Sequence, residues 1–174
     1  ALSERITVSR HGKYQDEPDS QAVRREQLLR QIGYSIINRR LLRLTREADA
    51  PFRAAGLNTS DVFKDGRSTT LSVDTVDGKW WRGLVSAGSE YRRALKFGFT
   101  PAEVAEQVAA IRTAARNEAQ SEGTRPNAAL VGAVLALINA ERVPDTPSRS
   151  LDRLEAFIPE ITPERVLAAL KVEL

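Results

Sequence analysis

The chain has no cysteine and no methionine, and it has one histidine, His11. Without cysteine there is no disulfide, no thiolate metal site and no cysteine nucleophile, a condition that suits a reducing cytoplasm and an oxidising periplasm alike. A catalytic zinc takes three protein ligands, and His11 has no second histidine to join. The same shortage removes Ser-His-Asp chemistry, and no Gly-x-Ser-x-Gly turn presents a nucleophile. The glycines are scattered, so no phosphate-cradling loop stands between a strand and a helix. The longest apolar-rich stretch, Ala128 to Ile138, contains Gly132 and falls short of the roughly 18 residues of a membrane span. The stretch from Ala1 to Arg10 mixes charges with apolar residues and lacks the continuous apolar segment of a signal peptide. Methionine is missing even at position 1, which leads to the expectation of a piece cut from a longer polypeptide.

What is present suits one soluble domain spanning 1-174, with 41% apolar and 28% charged residues. The 26 basic residues exceed the 23 acidic ones by three, and arginine keeps the pI near 9.5. Arg39, Arg40, Arg43 and Arg46 form the densest basic cluster. Carboxylates intersperse the rest, as at Glu26, Glu47, Asp49, Glu90, Glu103, Glu106 and Glu118, so the pattern favours a solvated or interface face over nucleic-acid binding. Glu103 and Glu106 share a helix face at three-residue spacing and read as solvated charges rather than an acid and base pair. No residue is assigned a catalytic, cofactor-binding or metal-binding role.

Periodicity supplies the elements. Ile6–Ser9 reads as a short strand, followed by a polar stretch from His11 to Pro18. Asp19 or Ser20 caps a long helix whose apolar stripe runs through Val23, Leu28, Leu29, Ile32, Ile36, Ile37, Leu41 and Leu44. Gly33 weakens that helix by about 1 kcal/mol relative to Ala, which a close neighbour would justify. Phe52 to Phe63 reads as a strand with a turn at Leu57-Asn58-Thr59-Ser60. Ser68 to Val76 alternates as a half-buried antiparallel strand with Leu71, Val73 and Thr75 on one face, and Lys64-Asp65-Gly66 turns between the two. The helix after Asp77-Gly78 is expected to bury Trp81, Leu84 and Val85, with both tryptophans anchoring the core.

Lys96-Phe97-Gly98-Phe99-Thr100-Pro101-Ala102-Glu103 then stops one helix and starts the next. Gly98 suits a left-handed ending, Thr100 a cap, Pro101 the first turn and Glu103 a capping box. The following helix carries Val104, Val108, Ile111 and Ala115 on its buried stripe. Pro126 opens a helix apolar enough, from Ala128 to Ala140, to be largely buried. Two short helices close the chain, the first capped by Ser148 or Ser150 and the second by Thr162. The order of elements indicates α+β, an antiparallel sheet packed against several helices.

Three segments in this order carry a resemblance: Asn38-Arg39-Arg40-Leu41, Pro51-Phe52-Arg53-Ala54-Ala55, and Phe97-Gly98-Phe99-Thr100, with Glu90-Tyr91-Arg92-Arg93-Ala94 on the helix before the corner. Together they resemble the insulinase/pitrilysin family of zinc metallopeptidases, in the domain that follows the zinc-bearing one, from about Arg24 to about Leu170. The resemblance implies a metallopeptidase-type α/β roll. It implies a scaffold and chamber wall packed against a zinc-bearing domain of the same polypeptide or a companion subunit, with peptide as the parent's substrate. Zinc and the His-x-x-Glu-His motif would lie on that other domain, so this chain alone is expected to be inactive and to hold no cofactor. The family's substrate-anchoring Arg and Tyr belong to a different unit and are not carried to Arg92 and Tyr91. An alternative is a structural or partner subunit of the same family that has lost peptidase activity. A weaker one is an arginine-rich nucleic-acid module, whose binding would fall steeply with salt. Compartment stays open, with the periplasm favoured over the cytoplasm.

Overall fold

A computed structural model describes residues 3–173. Strand β1 (Ser3–Lys13) leads into helix α1 (Gln21–Leu44), and a hairpin of β2 (Ala54–Val62) and β3 (Gly66–Val76) follows. Helices α2 (Trp80–Phe97), α3 (Pro101–Gln120), α4 (Asn127–Ala140), α5 (Pro147–Phe157) and α6 (Pro163–Glu173) complete an α+β architecture. The sheet is antiparallel throughout, in the order β1-β3-β2. Among the described residues no helix is long and apolar enough to cross a membrane.

Helix α1 is the spine. Ser20 accepts from the Val23 N–H and caps it, and Leu29, Ile32, Ile36, Ile37 and Leu41 are fully buried between the sheet and α6. Gly33 is explained by contact: an added Cβ would lie 3.2 Å from Leu170 Cδ2, and Leu170 is itself buried in α6. The chain thus exchanges helix propensity for close approach of two helices.

The corner between α2 and α3 forms as its residues dictate. Thr100 accepts from the Glu103 N–H at 3.2 Å while Glu103 accepts from the Thr100 N–H at 2.9 Å, which satisfies two helix-end donors reciprocally. Gly98 adopts φ +72° and ψ −147°, outside the left-handed helical region expected of it and in a region essentially closed to other residues.

Several expectations are corrected. Strand β1 is longer than Ile6–Ser9 because β3 extends to Gly66, so that His11 pairs with Ser68 and Lys13 with Gly66. Strand β2 runs straight through Leu57-Asn58-Thr59-Ser60, whose turn-like composition is overridden by pairing with Leu71, Thr70, Thr69 and Ser68. The cap of α5 is Thr146, one residue before Pro147, rather than Ser148 or Ser150.

Two corrections concern burial. Helix α2 turns its small residues inward: Gly83, Ala87 and Ala94 are buried, whereas Trp80 is 47% and Trp81 63% exposed. At Gly83 an added Cβ would sit 2.3 Å from Thr75 Cγ2, so α2 crosses the sheet too closely there for a large side chain. Helix α4 has no charged residue, yet Leu130, Val131, Val134, Leu135, Leu137 and Ile138 are all exposed. A helix apolar on every side is normally covered on every side.

Candidate binding groove

The segments that carry the resemblance fix backbone. Asn38, in the C-terminal part of α1, donates from Nδ2 to the Leu57 carbonyl at 3.0 Å and accepts from the Leu57 N–H at 2.8 Å. One side chain thereby satisfies both groups that Leu57 presents on the outer edge of β2. Two residues later, Arg40 reaches the helix corner. Its Nε and Nη2 donate to the two Glu103 oxygens at 2.6 and 2.8 Å, and Nη2 also donates to the Gly98 carbonyl at 3.1 Å. The guanidinium lies over the Phe99 ring, 5.5 Å from its centroid, and Nη1 approaches buried Glu90 at 3.5 Å. The fork beside Arg40 holds the Glu103 carboxyl down at about 2. This is a planar two-pronged grip that lysine could not reproduce.

A second carboxylate does similar work. Asp19 pairs with Arg24 and accepts from the Val143 N–H at 2.8 Å, while Arg24 donates to the Val143 carbonyl at 2.6 Å. The pair ties the start of α1 to the link between α4 and α5, and Arg24 holds the Asp19 carboxyl at about 2.

The cavity of interest lies between α2 and the sheet. It has a volume of about 650 Å³. Its floor is the cross-strand row Val8, Leu71 and Leu57, which the register aligns across all three strands. Its wall is α2, with Trp81, Leu84, Val85 and Tyr91. Arg10 and Arg92 supply positive charge, and no carboxylate lines it. Burial pushes the Tyr91 hydroxyl up from its ordinary value. Such a site can hold apolar side chains and an anion, but it lacks a nucleophile with an adjacent base.

His11 is exposed near the end of β1, opposite Ser68, and among the described residues no three of His, Cys, Asp and Glu converge. The described residues thus assemble no zinc-ligand set. Glu103 and Glu106, considered from sequence as a pair, are separated by their partners: Glu103 serves Arg40 and Glu106 serves Arg39. The groove was missed from sequence because Trp81 and Val85 fit a core stripe equally well. Glycine at position 83 was the available signal.

No family model matches the chain, and no curated protein matches it. Solved structures do. The chain is similar to the first half of the periplasmic protease PqqL from Escherichia coli, with a TM-score of 0.85, 13% identity and coverage of 98% of this chain and 36% of that one. The fold is that of insulinase-family proteases. Against the PqqL structure as a whole the TM-score is again 0.85, with 12% identity and 98% of this chain matched to 19% of that chain. A predicted insulinase family protease from Yersinia pestis gives a TM-score of 0.71 at 11% identity, covering 99% of this chain and 37% of that chain. The chain therefore spans well under two thirds of these proteins, and they carry further polypeptide beyond this fold.

Proposed function

We propose that this chain is a noncatalytic unit of a zinc-dependent peptidase, a scaffold and wall of the chamber in which the parent protein hydrolyses peptides. The observation that carries the reading is coverage: nearly the whole chain matches only a fraction of each protease. The chain's own chemistry agrees with it: its one histidine is exposed, and among the described residues no three of His, Cys, Asp and Glu come together. The zinc-bearing unit of the same polypeptide, or of a companion subunit, supplies that chemistry. Its interface with this chain falls to surfaces such as the exposed apolar α4. The periplasm is the favoured compartment, as for PqqL.

The test compares the parent with the isolated chain. The parent should cleave unfolded peptides, lose that activity to a chelator and regain it with zinc, while the isolated chain stays folded, cleaves nothing and holds no equimolar zinc. A parent with no peptidase activity and a degraded His-x-x-Glu-His motif would reject the enzyme reading for that of a partner subunit.

A further inference from the structure

A second cavity opens where α1, α3 and α5 meet, and its volume is about 320 Å³. Its floor is apolar, with Leu28 from α1, Ile111 and Ala115 from α3, and Leu154 and Phe157 from α5. Guanidinium groups surround that floor. Arg24 and Arg25 come from α1, Arg153 from α5 and Arg142 from the link between α4 and α5, while Asp145 is the carboxylate among the described lining residues.

The ion pairs around the cavity are unevenly shared. Asp19 is gripped by Arg24 and Asp145 by Arg153, and the two carboxylate side chains are only 13% and 11% exposed. Glu160 is held by Arg165 at 2.7 Å, and Arg25 reaches its other oxygen at 3.4 Å. Arg25 is positioned mainly by the buried Phe157 ring, whose centroid lies 4.9 Å from the guanidinium carbon. The charge of Arg142 acts on Asp19, whose two oxygens Arg24 already occupies. Among the described residues, five guanidiniums in this cluster thus share three carboxylates. The surplus falls on Arg25 and Arg142, both of which border the cavity.

We propose that this cavity binds a small organic carboxylate carrying an apolar group, with the acid facing Arg25 and Arg142 and the apolar group resting on Leu28, Ile111, Ala115 and Leu154. Three observations select that chemistry. The planar fork of arginine matches a carboxylate, and here two forks lack a carboxylate of their own. A bare inorganic anion would leave the apolar floor unused, whereas an apolar group covers it. The volume stands at the low end of ligand cavities, about 300–1,000 Å³, which suits a small acid or the end of a peptide rather than a longer segment. The site is separate from the groove beneath α2 and stands whether or not the parent is a peptidase.

The experiment titrates the 174-residue chain with N-acetyl-leucine and with its uncharged amide, read by calorimetry and by amide NMR shifts. The acid should bind at least about 10-fold more tightly than the amide, since hydrogen bonds to a charged group are the stronger ones. Arg25→Gln and Arg142→Gln should each weaken the acid by about 5-fold or more and leave the amide unchanged. Neither arginine belongs to the buried core, so both variants should unfold at the wild-type temperature. Ala115→Leu fills the floor while keeping every charge, and it should abolish binding of the acid. Equal binding of acid and amide, no saturation by about 10 mM, or indifference to both arginine variants would overturn the proposal. Inorganic phosphate that binds as tightly as the acid, and does so equally in Ala115→Leu, would make the cavity a cationic patch and overturn it too. N-acetyl-Ala-Ala-Leu separates the two sources of such a group. Tighter binding than N-acetyl-leucine upholds the site with a peptide end as its ligand, and weaker binding upholds it with a free acid.

Discussion

Glu103→Gln isolates the ion pair at the helix corner, because glutamine keeps an oxygen for the capping box but loses the charge that Arg40 grips. The folded carboxyl titrates at about 2 instead of 4.5, chiefly through its hydrogen bonds to Arg40. At about 1.36 kcal/mol per unit this corresponds to roughly 3 kcal/mol. The Glu103 side chain is 27% exposed. Solvent screening therefore reduces the expected loss at pH 7 to about 1–2 kcal/mol. Since the folded pKa is depressed, the contribution is present in full above about pH 5.5, declines as pH falls through the unfolded value, and is gone near about pH 2. Urea unfolding of both proteins across this range should show a gap that narrows steadily toward acid. A gap that is absent at pH 7, or that stays constant down to about pH 3, would refute the assignment of the stabilisation to an ionised Glu103.

Gly83→Ala should destabilise by about 1–3 kcal/mol despite better helix propensity, because its Cβ would meet Thr75 Cγ2 at 2.3 Å. Adding Thr75→Ser, which deletes that methyl, should recover much of the loss, and thermal unfolding of a double-mutant cycle measures the coupling. Asn38→Ala should cost about 1–3 kcal/mol and speed exchange of the Leu57 amide, since two edge groups lose their partner. Asp19→Asn should make the chain near Val143 more open to limited proteolysis at neutral pH. The wild type should approach the variant only as pH falls from 3.8 toward about 2, where Asp19 itself protonates.

What was legible in the sequence was local. Thr100, Pro101 and Glu103 determine their helix start within four residues, and Ser20 does the same for α1. The stripe from Leu29 to Leu41 was legible because one long helix samples its own periodicity many times. Burial of Trp80, Trp81 and α4 was misjudged for a different reason. Periodicity states that a face is apolar, and what lies opposite it is decided elsewhere. Gly83 against Thr75 sets the inward side of α2, and that contact joins residues from different elements. In sequence Arg40 reads as part of a basic cluster, whereas its partner Glu103 lies 63 positions away, where no spacing rule connects them.

The central claim is that this chain is one unit of a larger peptidase, and the mass of the native polypeptide tests it most directly. Blotting source cells with an antibody against the chain should reveal a band far above 19.2 kDa. A band at that mass would contradict the account and make this fold a free-standing protein.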